Sequence, residues 1–117
     1  MIDEGKRIPA AFFRTRTGRE PVREWLQSLN KEERRLIGAD IKTVEYGWPI
    51  GMPLCRSIGN GVWEVRCNLS GNRIARVLFC THEEKLVLLH GFIKKSRTLP
   101  KIDLNLTYER KSQLEEG

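Results

Sequence analysis

The chain has 117 residues, a formal net charge of +6, and 31% charged beside 39% hydrophobic residues. This balance is typical of one globular domain with a modest core, and it excludes an extended disordered chain. No apolar run approaches the length of a membrane span, and the first residues lack the apolar core of a secretory signal, so we expect a cytoplasmic protein that binds no membrane.

The first part of the chain predicts one strand followed by two helices. Residues Ile8–Thr15 are typical of a short strand, because two phenylalanines precede the turn-forming sequence TRTGRE. A proline at the first helical position and apolar residues at helical spacing predict a helix over Pro21–Leu29. Asn30 and Glu33 form the pattern of a capping box, which predicts a second helix that ends near Gly47.

The rest of the chain predicts four strands joined by tight turns, and then a last helix. Asn60 lies between two glycines, which is a hairpin signal because both residue types accept positive φ. The strands are predicted at Leu54–Ile58, Val62–Leu69, Arg73–Cys80 and Leu86–Phe92, and the helix at Asp103–Leu114.

This order of elements predicts an α+β fold. Hairpins make neighbouring strands antiparallel, so the N-terminal strand and the helical hairpin are expected to pack on a small antiparallel sheet, with the helices grouped on one face and a C-terminal helix at the end. We expect a single domain over residues 1–117, with its core at about residues 8–99 and a tail at residues 100–117.

Six cationic side chains on or beside the last strands are the candidate functional residues. They are Arg66, Arg73, Arg76, His90, Lys94 and Lys95. The positive charge favours a polyanionic partner such as nucleic acid or an acidic protein surface. A cationic sheet face suits transesterification of RNA, because arginine and lysine stabilise charge on the phosphoryl oxygens without a metal ion. Histidine or a lysine of lowered pKa could act as the general base and acid.

The same residues also have structural explanations, and the pattern alone leaves them open. Arg66 could pair with Glu64. Arg73 and Arg76 could keep an edge strand soluble, and His90 could be a hydrogen-bonded core residue. The two lysines after the last strand could be solvated, and the three tryptophans lie on apolar stripes, which favours the core over base stacking.

No metal or cofactor site is predicted. Cys55, Cys67 and Cys80 are evenly spaced without a paired-ligand motif, so we expect reduced, buried thiols rather than zinc ligands. The sequence contains no P-loop, dinucleotide fingerprint, HExxH motif or nucleophile elbow.

Four segments of the chain together resemble a known family. In chain order they are PVREWLQSL, DIKTVEYGWPIGMPLCRSIGNGVWEVR, RIARVLF and LLHGFIKKSRTLP. They are similar to the phage-derived Gp49-like, HigB-type toxins of the RelE/ParE superfamily. The likeness covers roughly Phe12 to Lys111, and the combination is more specific than any one segment.

This resemblance implies a RelE-like fold and a type II toxin that arrests growth, usually by metal-independent cleavage of mRNA on the translating ribosome. It implies a helix-turn-helix, HigA-like antitoxin encoded alongside, with operator DNA bound only through the toxin–antitoxin complex. Matched position by position, Arg66 and Arg73 are assigned to phosphate and transition-state charge, and His90 is a catalytic candidate. The residues expected to bind RNA or the ribosome are Arg76, Lys94 and Lys95.

The same fold also hosts two other functions. ParE-like relatives inhibit DNA gyrase by binding to it and need no nucleophile or base, so a protein-binding inhibitor is the first alternative. A component retained as an antitoxin-bound co-repressor is the second alternative.

Overall fold

The protein forms one strand, a pair of helices, a run of four strands and a last helix, in that order. The computed structural model describes residue 5, residues 7–94 and residues 98–117. In these residues the elements are β1 (Ala10–Phe12), α1 (Pro21–Ser28), α2 (Lys31–Gly47), β2 (Cys55–Gly59), β3 (Val62–Asn68), β4 (Ile74–His82), β5 (Lys85–Lys94) and α3 (Lys101–Glu116). Every predicted helix and strand is present, and the ends differ by no more than three residues.

The strands form a mixed sheet in the order β1-β5-β4-β3-β2. Strands β2 to β5 are antiparallel to their neighbours, as the hairpin turns require. Strand β1 instead runs parallel to β5, with Ala10 opposite Leu86 and Phe12 opposite Leu88. The predicted α+β fold is confirmed, but the sheet is not wholly antiparallel, because β1 enters it through a long helical connection and no hairpin sets its direction.

Two tight turns set the register of the hairpins. Gly59, Asn60 and Gly61 have φ values of 103°, 53° and 78°, in the region that glycine and asparagine tolerate. This confirms the predicted Asn-Gly hairpin. Glu83 and Glu84 also have positive φ, at 50° and 63°, although glutamate carries no sequence signal for that conformation.

Helices α1 and α2 cover one face of the sheet, which we call the helical face. At the start of α2 the Glu33 N–H donates to Asn30 Oδ1 (2.8 Å), and Glu33 Oε1 accepts from the Asn30 N–H (3.1 Å). Ile37, Ile41 and Val44 are buried against the sheet. The predicted capping box and apolar stripe are therefore confirmed.

The tryptophans pack beside the helical face. The Trp48 ring meets Trp63 and Phe79 edge to face, with centroid distances of 5.0 and 5.3 Å. Trp25 of α1 lies so close over Gly91 of β5 that a Cβ atom at position 91 would overlap the indole ring. The core position favoured by the sequence is confirmed, and Gly91 lets α1 lie this near the sheet.

We expect Gly91→Ala to destabilise the protein by about 1–3 kcal/mol, because the added methyl group forces the Trp25 ring to move in a packed core. Chemical denaturation of wild type and variant measures this loss. Gly38→Ala is the matched control, since a Cβ atom at position 38 meets nothing within 4 Å. Alanine also stabilises an exposed helical position relative to glycine. A Gly91→Ala midpoint equal to that of the wild type would contradict the close contact.

Helix α3 packs on the opposite face of the sheet. Leu114 contacts a small cluster that consists of Phe13, Cys80, Val87 and Leu89. The last three alternate along β4 and β5 with residues that are buried on the helical face. The prediction that the helices share one face is therefore wrong for α3. The reason is that β4 is buried on both sides over residues 75–80, so its second face needs a cover of its own.

The three cysteines are free thiols buried in the sheet, which confirms their predicted burial. Burial raises the pKa of Cys55 and of Cys80 to about 11 and raises the pKa of Cys67 further. The thiols therefore stay protonated near neutral pH and are poor nucleophiles. Within the described ranges, no three His, Cys, Asp or Glu side chains are grouped so that they could hold a metal ion. No helix in those ranges is long and apolar enough to cross a bilayer.

Candidate nucleic-acid interface

Strands β2, β3 and β4 place four charged side chains on the sheet face opposite α1 and α2, which we call the arginine face. Alternation along β3 puts Glu64 and Arg66 on this side, while the residues between and after them face the helices. The strand register aligns Arg56 of β2 with Glu64, and Arg76 of β4 with Arg66. Three arginines therefore surround one carboxylate.

Glu64 is the buried centre of this cluster. Its Oε2 accepts a hydrogen bond of 3.0 Å from Nη1 of Arg76, whose side chain is also buried. Nη2 of Arg56 and Nε of Arg66 lie 3.4 and 3.9 Å from the other oxygen, Oε1. A buried carboxylate is costly without charged partners, so the Glu64–Arg76 pair is part of the core. Arg76 in this position is not accessible to RNA.

The arginines differ in exposure. The exposed fraction of the side chain is 1% for Arg76, 27% for Arg66 and 38% for Arg56. Three guanidinium groups and one carboxylate give the cluster a net charge of +2. The excess positive charge lies on the two outer arginines, where an anion from solution can reach it.

His90 of β5 lies on the arginine face, but both of its ring nitrogens are engaged within the chain. Nε2 lies 2.6 Å from Oδ1 of Asp103 in α3, and Nδ1 lies 3.4 Å from Nη1 of Arg110. Because a guanidinium group only donates hydrogen bonds, Nδ1 of His90 is the acceptor from Arg110. The N–H at Nε2 is then the donor to Asp103. His90 therefore fastens α3 to the sheet, and its ring is not free to exchange a proton with a substrate in this conformation.

Helix α3 covers one end of the arginine face. The Tyr108 hydroxyl donates to the carbonyl oxygens of Gly59 (2.9 Å) and Ile58 (3.2 Å), beside the β2–β3 turn. Nη1 of Arg110 donates to the Leu89 carbonyl oxygen at 2.8 Å. Along the strands, these contacts lie on the same side of His90 as the β2–β3 turn. Arg66 lies on the side of His90 away from that turn, and it is partly exposed.

The open end of the arginine face also carries an aromatic ring and a lysine. Phe92 pairs with Arg76 across the strands, is partly exposed, and stacks on the His90 ring with centroids 5.6 Å apart. Lys94 ends β5 opposite Ile74 and is exposed. Lys95 lies outside the described residues. Cations beside an exposed aromatic ring are the combination with which proteins bind single-stranded nucleic acid.

Arg73 lies on the helical side of the sheet, away from Arg66. Its Nη1 forms an ion pair of 2.7 Å with Oε2 of Glu33, and its Nε donates to the Ser70 carbonyl oxygen at 3.1 Å. Because Glu33 also caps α2, Arg73 ties the β3–β4 turn to the start of that helix. The sequence placed Arg66 and Arg73 in one catalytic set, and the structure does not bring them together.

We expect Arg73→Ala to lower the melting temperature near neutral pH and to flatten its fall in acid. The Arg73 side chain and, second, the Asn30 N–H hydrogen-bond to Glu33 and lower its pKa below the ordinary value of 4.5. A carboxylate whose pKa is lower in the folded state stabilises the protein above its unfolded pKa, and this contribution is lost as the pH falls through the folded value.

Melting curves of wild type and Arg73→Ala between about pH 6 and about pH 3 test this linkage, and the two melting temperatures are expected to converge in acid. Arg34→Ala removes an exposed arginine from the same helix and is the control. A constant offset between wild type and Arg73→Ala at every pH would show that the ion pair does not set the pKa of Glu33.

Sequence reasoning gave no role to Phe92, and it missed three further residues that contact Glu64 or His90. One of them, Arg56, had a usable signal, because the Asn-Gly turn pairs its strand with β3 and so places it opposite Glu64. The other two, Asp103 and Arg110, are seven residues apart and so share a side of α3. Nothing in the sequence shows which face of the sheet that helix covers.

An open cleft of about 400 Å³ lies elsewhere, between the loop after β1 and the end of α3. Its lining includes Arg14, His82 and Glu83, and none of the candidate residues. The arginine face is therefore separate from this cleft.

The sequence matches a known family over most of its length. The family is described as phage-derived protein Gp49-like (DUF891), and its model matches residues 24–112, which are 89 of the 117 residues. No protein with a curated description matches the chain. The matched residues extend from α1 into α3 and include every named residue of the arginine face.

Proposed function

This chain belongs to the Gp49-like family of phage-derived proteins, and we propose that it is the toxin of a type II toxin–antitoxin system. Family membership supports a protein of toxin–antitoxin type in general. Within that class, we infer that it is an endoribonuclease that cuts mRNA on the ribosome without a metal ion. The observation that carries this inference is the net positive charge of the arginine face beside Phe92 and Lys94.

The proposed cleavage is a transesterification. The 2′-oxygen of the RNA forms a bond to phosphorus and the bond from phosphorus to the 5′-oxygen breaks, which leaves a 2′,3′-cyclic phosphate and a free 5′-hydroxyl. The 2′-hydroxyl loses its proton to a base, and the 5′-oxygen gains a proton from an acid. Negative charge grows on the nonbridging oxygens of the phosphate, where arginine donors stabilise it.

Each residue of the open end has a role in this proposal. Arg66 is assigned to the phosphoryl oxygens, because it is partly exposed and belongs to the cluster with excess positive charge. Lys94 is assigned to the RNA backbone, and Phe92 to stacking on a base.

His90 can act as an acid or base only after α3 moves, since Asp103 and Arg110 occupy its nitrogens. The proposal assigns Arg73 no role in the reaction, because it is paired with Glu33 on the other side of the sheet.

The proposed partners are a helix-turn-helix antitoxin and the translating ribosome, with operator DNA bound only through the antitoxin complex. A net positive surface attracts an acidic segment of an antitoxin as well as RNA, because complementary charge speeds encounter and sets orientation. A cytoplasmic location follows from the ribosome as the site of action.

Mapping the 5′ ends of cellular mRNA after brief induction tests the proposal. For the wild type and for Arg34→Ala we expect new ends inside translated frames, and for Arg66→Ala we expect none. Arrested growth with uncut mRNA and a DNA-damage response would instead identify an inhibitor of gyrase, and Arg66 would then be a contact residue.

A further inference from the structure

The guanidinium groups of Arg56 and Arg66 approach Glu64 Oε1 without hydrogen-bonding to it. A guanidinium group has five N–H donors, yet neither side chain hydrogen-bonds to any residue that the structure describes. The other three arginines of the described chain that are buried or half-buried each donate at least one side-chain hydrogen bond: Arg73, Arg76 and Arg110.

These two guanidinium groups lie on neighbouring strands. The N–H of Arg66 donates to the carbonyl oxygen of Leu54, and Arg56 is opposite Glu64, so Arg56 and Arg66 occupy diagonal positions on adjacent strands. Such positions are typically about 7–8 Å apart between Cα atoms, within reach of long side chains. Both groups also approach the same atom, Glu64 Oε1, which itself accepts no hydrogen bond.

Glu64 does not balance the charge of these groups. Its other oxygen is bound to Arg76, so one carboxylate serves three guanidinium groups, two of which reach solvent. Neighbouring like charges repel each other when they are partly buried, unless an anion lies between them. His90, on the same face, contacts Asp103 and Arg110, whose opposite charges offset one another.

We propose that Arg56 and Arg66 together bind a single phosphate group, with Glu64 holding both guanidinium groups from the buried side. Each guanidinium fork matches two oxygens of a phosphate, and a phosphodiester presents two nonbridging oxygens that both arginines can share. The identification of that phosphate as part of an RNA backbone rests on the proposed function. Arg56 then becomes a second phosphate-binding residue beside Arg66.

Titration of inorganic phosphate into the full chain tests the site. Arginine Nε–Hε signals in NMR spectra report each guanidinium group separately, and ionic strength is held constant with chloride. We expect saturable shifts at Arg56 and Arg66 and none at Arg73, whose guanidinium group is already bound to Glu33. Shifts that do not saturate, or that chloride reproduces, would overturn the proposal.

Conservative variants give the second measurement. Arg56→Lys and Arg66→Lys keep the charge and lose the fork, so each is expected to weaken phosphate binding by about tenfold. Arg73→Lys is the control and should change the affinity by less than about twofold, because its side chain lies on the other side of the sheet. Acetate binding as tightly as phosphate would overturn the proposal, and would identify a site for an acidic protein side chain.

Failure of this site can be told apart from failure of the nuclease. Cleavage of mRNA without saturable phosphate binding at Arg56 would leave the nuclease standing and overturn the two-arginine site. Saturable phosphate binding with uncut mRNA would support the site and overturn the nuclease.

Discussion

Glu64→Ala is expected to cause the largest loss of stability of any single truncation at the arginine face, about 3–5 kcal/mol. The carboxylate is fully buried and is hydrogen-bonded to the buried Arg76. Its removal deprives three neighbouring guanidinium groups of the negative charge between them. It also leaves a void at the buried centre of the cluster, which adds to the loss.

Thermal and chemical denaturation measure this effect, and the melting temperature is expected to fall by roughly 10–20 °C. Glu109→Ala removes an exposed carboxylate from α3 and should change stability by less than about 0.5 kcal/mol. Glu64→Gln keeps the shape and removes only the charge, so an intermediate loss is expected. If Glu64→Ala melts together with Glu109→Ala, the carboxylate does not hold the arginine face together.

Arg66→Ala is expected to have the largest effect on the proposed activity, a loss of about 10²–10³-fold in the rate of mRNA cleavage. That range is typical when one donor to a developing negative charge is removed. The fold should survive, because Arg66 is partly exposed and its nearest carboxylate oxygen lies 3.9 Å away. Loss of one positive charge from a cluster of net charge +2 also relieves repulsion, so stability should change by less than about 1 kcal/mol.

Growth after induction, cleavage of a translated mRNA and a melting curve should be measured for the same preparation of Arg66→Ala. Arg34→Ala removes the same charge from α2, on the opposite side of the sheet, and should retain full toxicity. A melting temperature reduced as far as that of Glu64→Ala would make Arg66 a structural residue. Full toxicity of a folded Arg66→Ala protein would remove it from the reaction.

These two variants separate an inner and an outer layer of the same cluster. The inner pair, Glu64 and Arg76, is buried and contributes to folding. The outer pair, Arg56 and Arg66, is partly exposed, and it is the pair that we propose binds a ligand. Because both layers meet at the Glu64 carboxylate, one at Oε2 and the other at Oε1, the buried pair sets the position of the exposed one.

Much of the fold could be predicted from local sequence patterns. The capping box at Asn30 and Glu33 depends on residues three apart, and the turn at Asn60 depends on its two glycine neighbours. Both are confirmed, since the physical causes act within one turn of the chain. Alternation along β3 likewise placed Glu64 and Arg66 on one face, which the structure bears out.

The composition of the candidate site could be predicted only in part. Arg66 and Lys94 lie at the open end of the arginine face, and the matched family covers both residues. Arg73 was expected in one catalytic set with Arg66. Position 73 comes after the β3–β4 turn, and its side chain instead forms an ion pair with Glu33 on α2. His90 was a candidate acid or base, and its nitrogens are taken by two residues of α3 that no local pattern connects to it.

The sequence by itself determined the helices, the hairpins, the side of β3 that carries arginine, and the resemblance to a toxin family, because these follow from short-range periodicity and motifs. Only the tertiary structure decided that α3 covers one end of the arginine face, that Arg76 is buried on Glu64, and that Arg56 lies beside Arg66. These facts depend on contacts between strands and helices far apart in the chain, where burial and the pairing of charges, and not local propensity, set the lowest free energy.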